Sequence, residues 1–218
     1  MKKFAVLSLT FVLLQASAFA QKSHLKIGLE TGFGLASFRS TAAFEKLREA
    51  RPSTLQGIAL SWRLSEHWFL RTGASLSLNG SRLRNSVTLT DENGNPIGTY
   101  KAASNLPYLN VPLLAGISFG NRTRFYGQAG PYVGFLLAAH DTYDGHNATD
   151  QKALYKSTDF GIMAGAGVEV PLNKRFGFTV ELRDQLGLSD ISTPASGVGY
   201  PPLRNNAVHL LIGVNYRF

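Results

Sequence analysis

Nine charged residues set the chemistry open to this chain: the acids Glu30, Glu169 and Glu181, and the bases Lys26, Arg63, Arg71, Arg124, Arg183 and Arg217. Each stands on the polar side of a stretch in which apolar and polar residues alternate. Ions taken out of water need partners, because an unpaired one costs several kcal/mol. Mixed signs on the polar sides therefore predict a salt-bridged interior that holds the molecule together. The basic excess leaves a narrow, anion-preferring pore as the alternative.

Other residue types are weaker leads. His140-Asp141, Asp144-Gly145-His146 and Ser157-Thr158-Asp159 fall in one polar segment, where a histidine beside a carboxylate could position a general base for a serine. Nothing in their spacing brings the serine to the base, and the segment reads as a hydrated loop. Asp141, Asp144 and Asp150 could offer oxygen ligands to Ca²⁺, but without the regular spacing or the glutamate of a calcium loop. His209 lies on the polar side of the last strand and is expected to join the interior network. Gly161, Gly165 and Gly167 belong to a strand pattern and not to a strand-to-helix turn, which makes them packing glycines and not a nucleotide cradle. The chain has no cysteine, so disulfides, Cys-based metal sites and thiol nucleophiles are excluded. No catalytic residue, cofactor or metal is expected.

The elements that must position these charges are extended strands, whose successive side chains point to opposite faces. At the end of the chain Leu210, Ile212, Val214, Tyr216 and Phe218 share one face, and His209, Gly213, Asn215 and Arg217 the other, with Leu211 the interruption. Phe176, Phe178, Val180, Leu182 and Leu186 alternate with Thr179, Glu181, Arg183 and Gln185. Comparable runs begin near Leu25, Ile58, Trp68, Tyr108, Phe125 and Phe160, giving about eight strands of roughly nine to twelve residues, the length that crosses a bilayer at a tilt. Glycine on the charged faces argues against a soluble sandwich, because it weakens strands without adding solubility. The pattern predicts an all-β, eight-stranded antiparallel transmembrane barrel, an up-and-down meander with its apolar face outward. A barrel of that size holds little more than its own side chains.

Connections alternate in length. Tight turns are expected at Ser65-Glu66, Gly120-Asn121-Arg122 and Asn173-Lys174-Arg175, and long polar loops at 37–54, 80–105, 140–158 and 189–206. Short periplasmic turns and long outer loops are the pattern of bacterial outer-membrane barrels. Within the second loop an Asn93-Gly94 signal predicts a hairpin between Val87-Thr88-Leu89 and Ile97-Gly98-Thr99-Tyr100 that continues the barrel strands outward. Residues 44–51 (FEKLREAR), before Pro52, are the one short helix-like stretch. Trp62, Trp68, Phe119, Phe125 and Phe176 lie beside the tight turns, as an interfacial aromatic belt would.

Residues 1–20 read as a cleavable leader: Lys2 and Lys3, an apolar core from Phe4 to Leu14, and the small-x-small site Ala18-Phe19-Ala20, which would make Gln21 the first mature residue and leave 21–218 as the barrel domain. The formal charge is +8. The bases are scattered, and an exported protein rarely meets nucleic acid, so the excess is assigned to interior and loops and nucleic acid is excluded as a partner. The final Phe218, closing an amphipathic strand, looks like the signal read by the barrel-insertion machinery.

Residues 108–114 (YLNVPLL), 130–137 (GPYVGFLL) and 160–169 (FGIMAGAGVE), with the terminal Tyr216-Arg217-Phe218, resemble the PorT-like outer-membrane β-barrel family through almost the whole mature chain. The resemblance implies the barrel fold and an address in the cell outer membrane. It implies function poorly, since that family spans type IX secretion components and barrels of other roles. The expected function is structural or interactive, through the outer loops, with outer-membrane lipid and an envelope or secretion-complex protein as partners. A narrow or secretion-associated pore is the alternative, and a lipid-modifying enzyme a weaker one.

Overall fold

The computed structural model describes residues 25–90, 93–143, 146–193 and 202–218. Eight long strands carry the fold: β1 (Leu25–Arg39), β2 (Arg51–Arg63), β3 (Trp68–Leu83), β4 (Ala102–Phe119), β5 (Arg124–Leu136), β6 (Thr158–Pro171), β7 (Phe176–Gly187) and β8 (Arg204–Arg217). Each pairs antiparallel with its neighbours in sequence, and β8 pairs with β1, so the sheet closes and leaves no open edge. Paired residues followed round the barrel run Leu25, Trp62, Leu70, Ala115, Ala129, Ala164, Asp184 and Val208, and return to β1 at Leu35. The return lands ten residues beyond Leu25. A stagger of this kind tilts the strands by roughly 35–45° to the barrel axis.

Strand alternation then decides what each face is made of. Leu29, Phe33 and Phe125 point outward and are 66%, 70% and 63% exposed. Ile58, Leu60, Leu113, Leu182, Leu210 and Ile212 extend the same apolar wall, while Glu181, Arg183, Gln185, Asn110 and His209 are buried inside. Water would not tolerate an exposed apolar surface so continuous, and a bilayer matches it. No helix among the described residues is long and apolar enough to cross a membrane; the strands do the crossing.

The tight turns fall at 64–67, 120–123 and 172–175. Ser65 Oγ accepts the Trp68 amide at 3.1 Å, and Asn173 Oδ1 accepts the amides of Arg175 and Phe176, each at 2.8 Å. Gly120 sits at φ +102°, a conformation a side chain would strain. Trp62, Trp68, Phe119, Phe125 and Phe176 are all exposed beside these turns. Phe176, Tyr216 and Phe218 stack edge to face, with ring centroids 5.2 and 5.1 Å apart.

The far end departs from expectation. The barrel strands run 12 to 18 residues, longer than the bilayer requires, so the connections contract to 40–50, 84–101, 137–157 and 188–203. Ladder pairing continues past the apolar band because each strand still has a neighbour to bond. The helix-like stretch yields only α1 (Ala42–Leu47); Arg48 and Glu49 are extended and pair with Leu83 and Arg82. Pro52, at the start of β2, disfavours helical backbone at Arg51. The Asn-Gly hairpin forms, with Gly94 at φ +82°, but as a two-stranded sheet of its own and not as a continuation of β3 and β4. Instead, residues His140–Tyr143 pair with the first residues of β4. The leader, with Ala18-Phe19-Ala20 and Gln21, and Asp91, Glu92, Asp144 and Gly145 lie outside the described residues.

Candidate functional site in the barrel interior

Four of the nine charges meet at mid-barrel. Arg183 Nη1 and Nη2 donate to Glu30 Oε1 and Oε2 at 2.7 and 3.0 Å, a two-pronged contact suited to the guanidinium fork. Arg183 Nε donates to Glu181 Oε1 at 2.7 Å. Arg71 donates to Glu181 Oε2 at 3.0 Å through Nη1 and to Glu30 Oε2 through Nη2. Each acid thus holds both bases, and the four form a closed, charge-neutral ring. Arg71 stands on β3 and Glu181 on β7, opposite walls of an eight-stranded barrel, so the ring bridges the lumen. Tyr126 and Gln128 on β5 donate to the free sides of Glu181 at 2.8 and 2.7 Å.

Glycine leaves the room for this packing. A Cβ on Gly167 would lie 2.7 Å from Tyr126 Oη, and one on Gly116 would lie 2.2 Å from the Phe69 ring. Phe69 in turn meets Tyr126 edge to face, with centroids 6.0 Å apart. The two rings form an aromatic shelf below the ionic ring.

Above the ring the interior is polar and neutral, then apolar. Asn110 Nδ2 donates to Ser77 Oγ at 2.8 Å and faces Gln185 at 3.5 Å. Ser53 Oγ and His209 Nε2 are 2.7 Å apart, both side chains sealed from solvent. Asp159 was expected in a loop; it lies on the inner face of β6, fully buried. It accepts from Tyr132 Oη and Asn205 Nδ2, each at 2.9 Å, and from Ser189 Oγ at 2.8 Å. Over these sits an apolar cap of Phe38, Leu106, Tyr108, Leu136, Ala139, Ile191 and Leu203, with Phe44 and Tyr155 packed against it.

The cap ties the outer loops to the barrel. Arg48 stacks over Phe38 and Phe44, 5.6 and 4.9 Å from their ring centroids, and donates to Ser81 Oγ at 2.8 Å. Burial, reinforced by Asp141, holds the Tyr155 phenol above its ordinary pKa. In the fourth loop Asp190 Oδ1 accepts the Leu203 amide at 2.8 Å and the Ser192 amide and hydroxyl at 3.0 and 2.7 Å. Burial alone would raise that carboxyl; the Leu203 amide, the two Ser192 donors and Lys156 outweigh it and hold it below the ordinary aspartate range.

Below the ring the remaining five charges are less balanced. Lys26 Nζ lies 2.6 Å from both carboxylate oxygens of Glu169, and Arg217 Nη2 reaches Glu169 Oε1 at 3.3 Å. Arg63 and Arg124 line the same vestibule without an ion pair among the described residues.

The polar segment with His140 does not assemble a nucleophile and base. His140 is exposed on a strand, and Asp159 is engaged inside the barrel. Of the aspartates considered for Ca²⁺, Asp150 Oδ1 accepts the Lys152 amide at 2.9 Å and Asp144 lies outside the described residues. Asp159 and the cap were missed because they sit where strands outrun the bilayer and the apolar alternation fades. The one available signal was the isolated apolar residues Leu106, Ile191 and Leu203 beside otherwise polar loops.

Comparison with known proteins gives the architecture a context. The crystal structure of Neisserial surface protein A (NspA) superposes with a TM-score of 0.53 at 12% identity, covering 89% of this chain and 97% of that one. OprG from Pseudomonas aeruginosa gives 0.48 at 15% identity over 90% and 97%. Ail of Yersinia pestis gives 0.42 at 12% identity over 90% and 100%. No curated protein sequence matches the chain. The family model described as "Outer membrane protein beta-barrel domain" matches residues 19–193. Closed sheet, outward apolar face and family match agree: the chain belongs to the outer membrane protein β-barrel domain family and is a small eight-stranded barrel of the cell outer membrane.

Proposed function

We propose that this barrel is closed to solute flow and acts as a structural and interaction protein through its outer loops. One observation carries the reading: the ring of Glu30, Arg71, Glu181 and Arg183 joins opposite walls of the lumen. Opening a path would separate buried ions from their partners, at a cost of about 3–5 kcal/mol for each pair broken. The apolar cap and the Asp190 contacts hold the outer loops against the barrel rim, which favours a fixed contact surface. Outer-membrane lipid is the solvent of the apolar wall, and β8 with the aromatic Tyr216 and the Phe218 that follows it is the segment offered to the barrel-insertion machinery. The test is conductance of the purified barrel in planar bilayers. No steady current is expected, and a reproducible open level would overturn the reading in favour of a narrow pore.

The PorT-like, secretion-associated role is a narrower version of the same reading. Its support is the resemblance in residues 108–114 and 130–137, whose Tyr108, Leu114, Tyr132 and Leu136 are buried in the barrel. Crosslinking in intact envelopes followed by identification of secretion components tests it. Lipid-modifying activity has less support, since the buried Ser53–His209 pair has no path for a lipid substrate. An altered lipid profile on deletion would revive it.

A further inference from the structure

We propose that the vestibule at the short-turn end of the barrel is a binding site for a phosphate-class oxyanion drawn from the periplasmic side. Among the described residues, the vestibule is lined by Lys26, Arg63 and Arg124 around one acid, Glu169, with Arg71 of the ring on its wall and Arg217 reaching the same acid from beside it. The ring above it is neutral and uses both of its own bases, so it lends no counter-charge downward. Glu169 is already shared by Lys26 and Arg217. Arg63 lies within electrostatic range of Arg124 and Arg217 as well as of Glu169.

Like charges held together on a tilted sheet repel one another. A barrel needing only a salt-bridged interior would match its bases with acids, as it does one layer higher. Arginine, with its planar fork of donors, is the side chain suited to oxyanions. Thr179 and Asn215 add neutral hydrogen-bonding groups to the wall. The cavity volume is about 50 Å³. At roughly 10–15 Å³ per water-sized occupant, that is room for about four, the bulk of a tetrahedral oxyanion. Phe69, Tyr126 and Arg71 line its inner end, where the ionic ring bridges the lumen.

The oxyanion could be free inorganic phosphate or the phosphoryl headgroup of an inner-leaflet lipid reaching round the rim. The experiment titrates the full refolded barrel with inorganic phosphate, against chloride at equal ionic strength, by calorimetry in zwitterionic detergent. It is then repeated in nanodiscs with and without phosphatidylglycerol. Saturable phosphate binding is expected, weakened about tenfold or more in the Arg63→Gln/Arg124→Gln double variant. Arg82→Gln, which removes an exposed pair with Glu49 at the outer rim, should leave binding unchanged. Each variant is first shown to be folded by its heat-dependent gel shift. Phosphate binding abolished by phosphatidylglycerol identifies the headgroup as the source, and binding that persists identifies the free ion. No saturable binding in either medium, or equal binding by the double variant, would overturn the proposal.

Discussion

At the scale of single residues, the interior is decided by whether each ion keeps its partners. Glu181→Gln leaves Arg71 and Arg183 each short of an anion in a site where Arg183 is 2% exposed. The expected loss of folding stability is about 3–5 kcal/mol, read from the midpoint of urea unfolding of the refolded barrel in lipid vesicles. The double variant Glu181→Met/Arg183→Met leaves Glu30 and Arg71 paired with each other and should cost far less than the sum of the two single changes. Equal and additive losses would mean that the ring does not act as a unit. Steric fit makes a second prediction. Gly116→Val drives a side chain into the Phe69 ring and should cost about 1–3 kcal/mol in the same assay. Combined with Phe69→Ala, the loss should fall short of additivity because the clash is gone.

At the scale of elements, the loops show a pH dependence whose direction follows from Asp190. Its carboxyl titrates below the unfolded value of about 3.9, so its stabilisation is fully present above that value and disappears as pH falls through the lower folded one. Protection of the Leu203 and Ser192 amides against hydrogen exchange should therefore be level between pH 8 and 5 and drop only below about pH 4. Asp190→Asn should lower it at pH 7. The same region shows what alternation can and cannot reveal. Within the bilayer band each strand's faces were legible, because a period of two separates Glu181, Arg183 and Gln185 from Val180, Leu182 and Leu186 without knowledge of any neighbour. Beyond the band, polar residues occupy both faces, and Thr158 and Asp159, the first two residues of β6, read as the end of a loop. Which charges meet was not legible either. That depends on register, and the ten-residue stagger that sets Arg71 opposite Glu181 is a property of the closed sheet and not of any one strand.

At the scale of the whole molecule, the account depends on one inversion: apolar outside, charged inside. It explains why Phe33 and Phe125 are left uncovered while Arg183 is sealed. It also explains why glycine recurs on the charged faces, where side chains must interlock in a narrow lumen. Adjacent residues test it, because Leu60 faces outward and Ser61 lines the inner vestibule. The chain has no cysteine of its own, so Leu60→Cys and Ser61→Cys each introduce a single reactive thiol. In vesicles, an environment-sensitive fluorophore at position 60 should be quenched by brominated lipid and shielded from a water-soluble quencher. At position 61 the two responses should be reversed. Quenching by brominated lipid at 61 but not at 60 would contradict the account and turn every strand inside out.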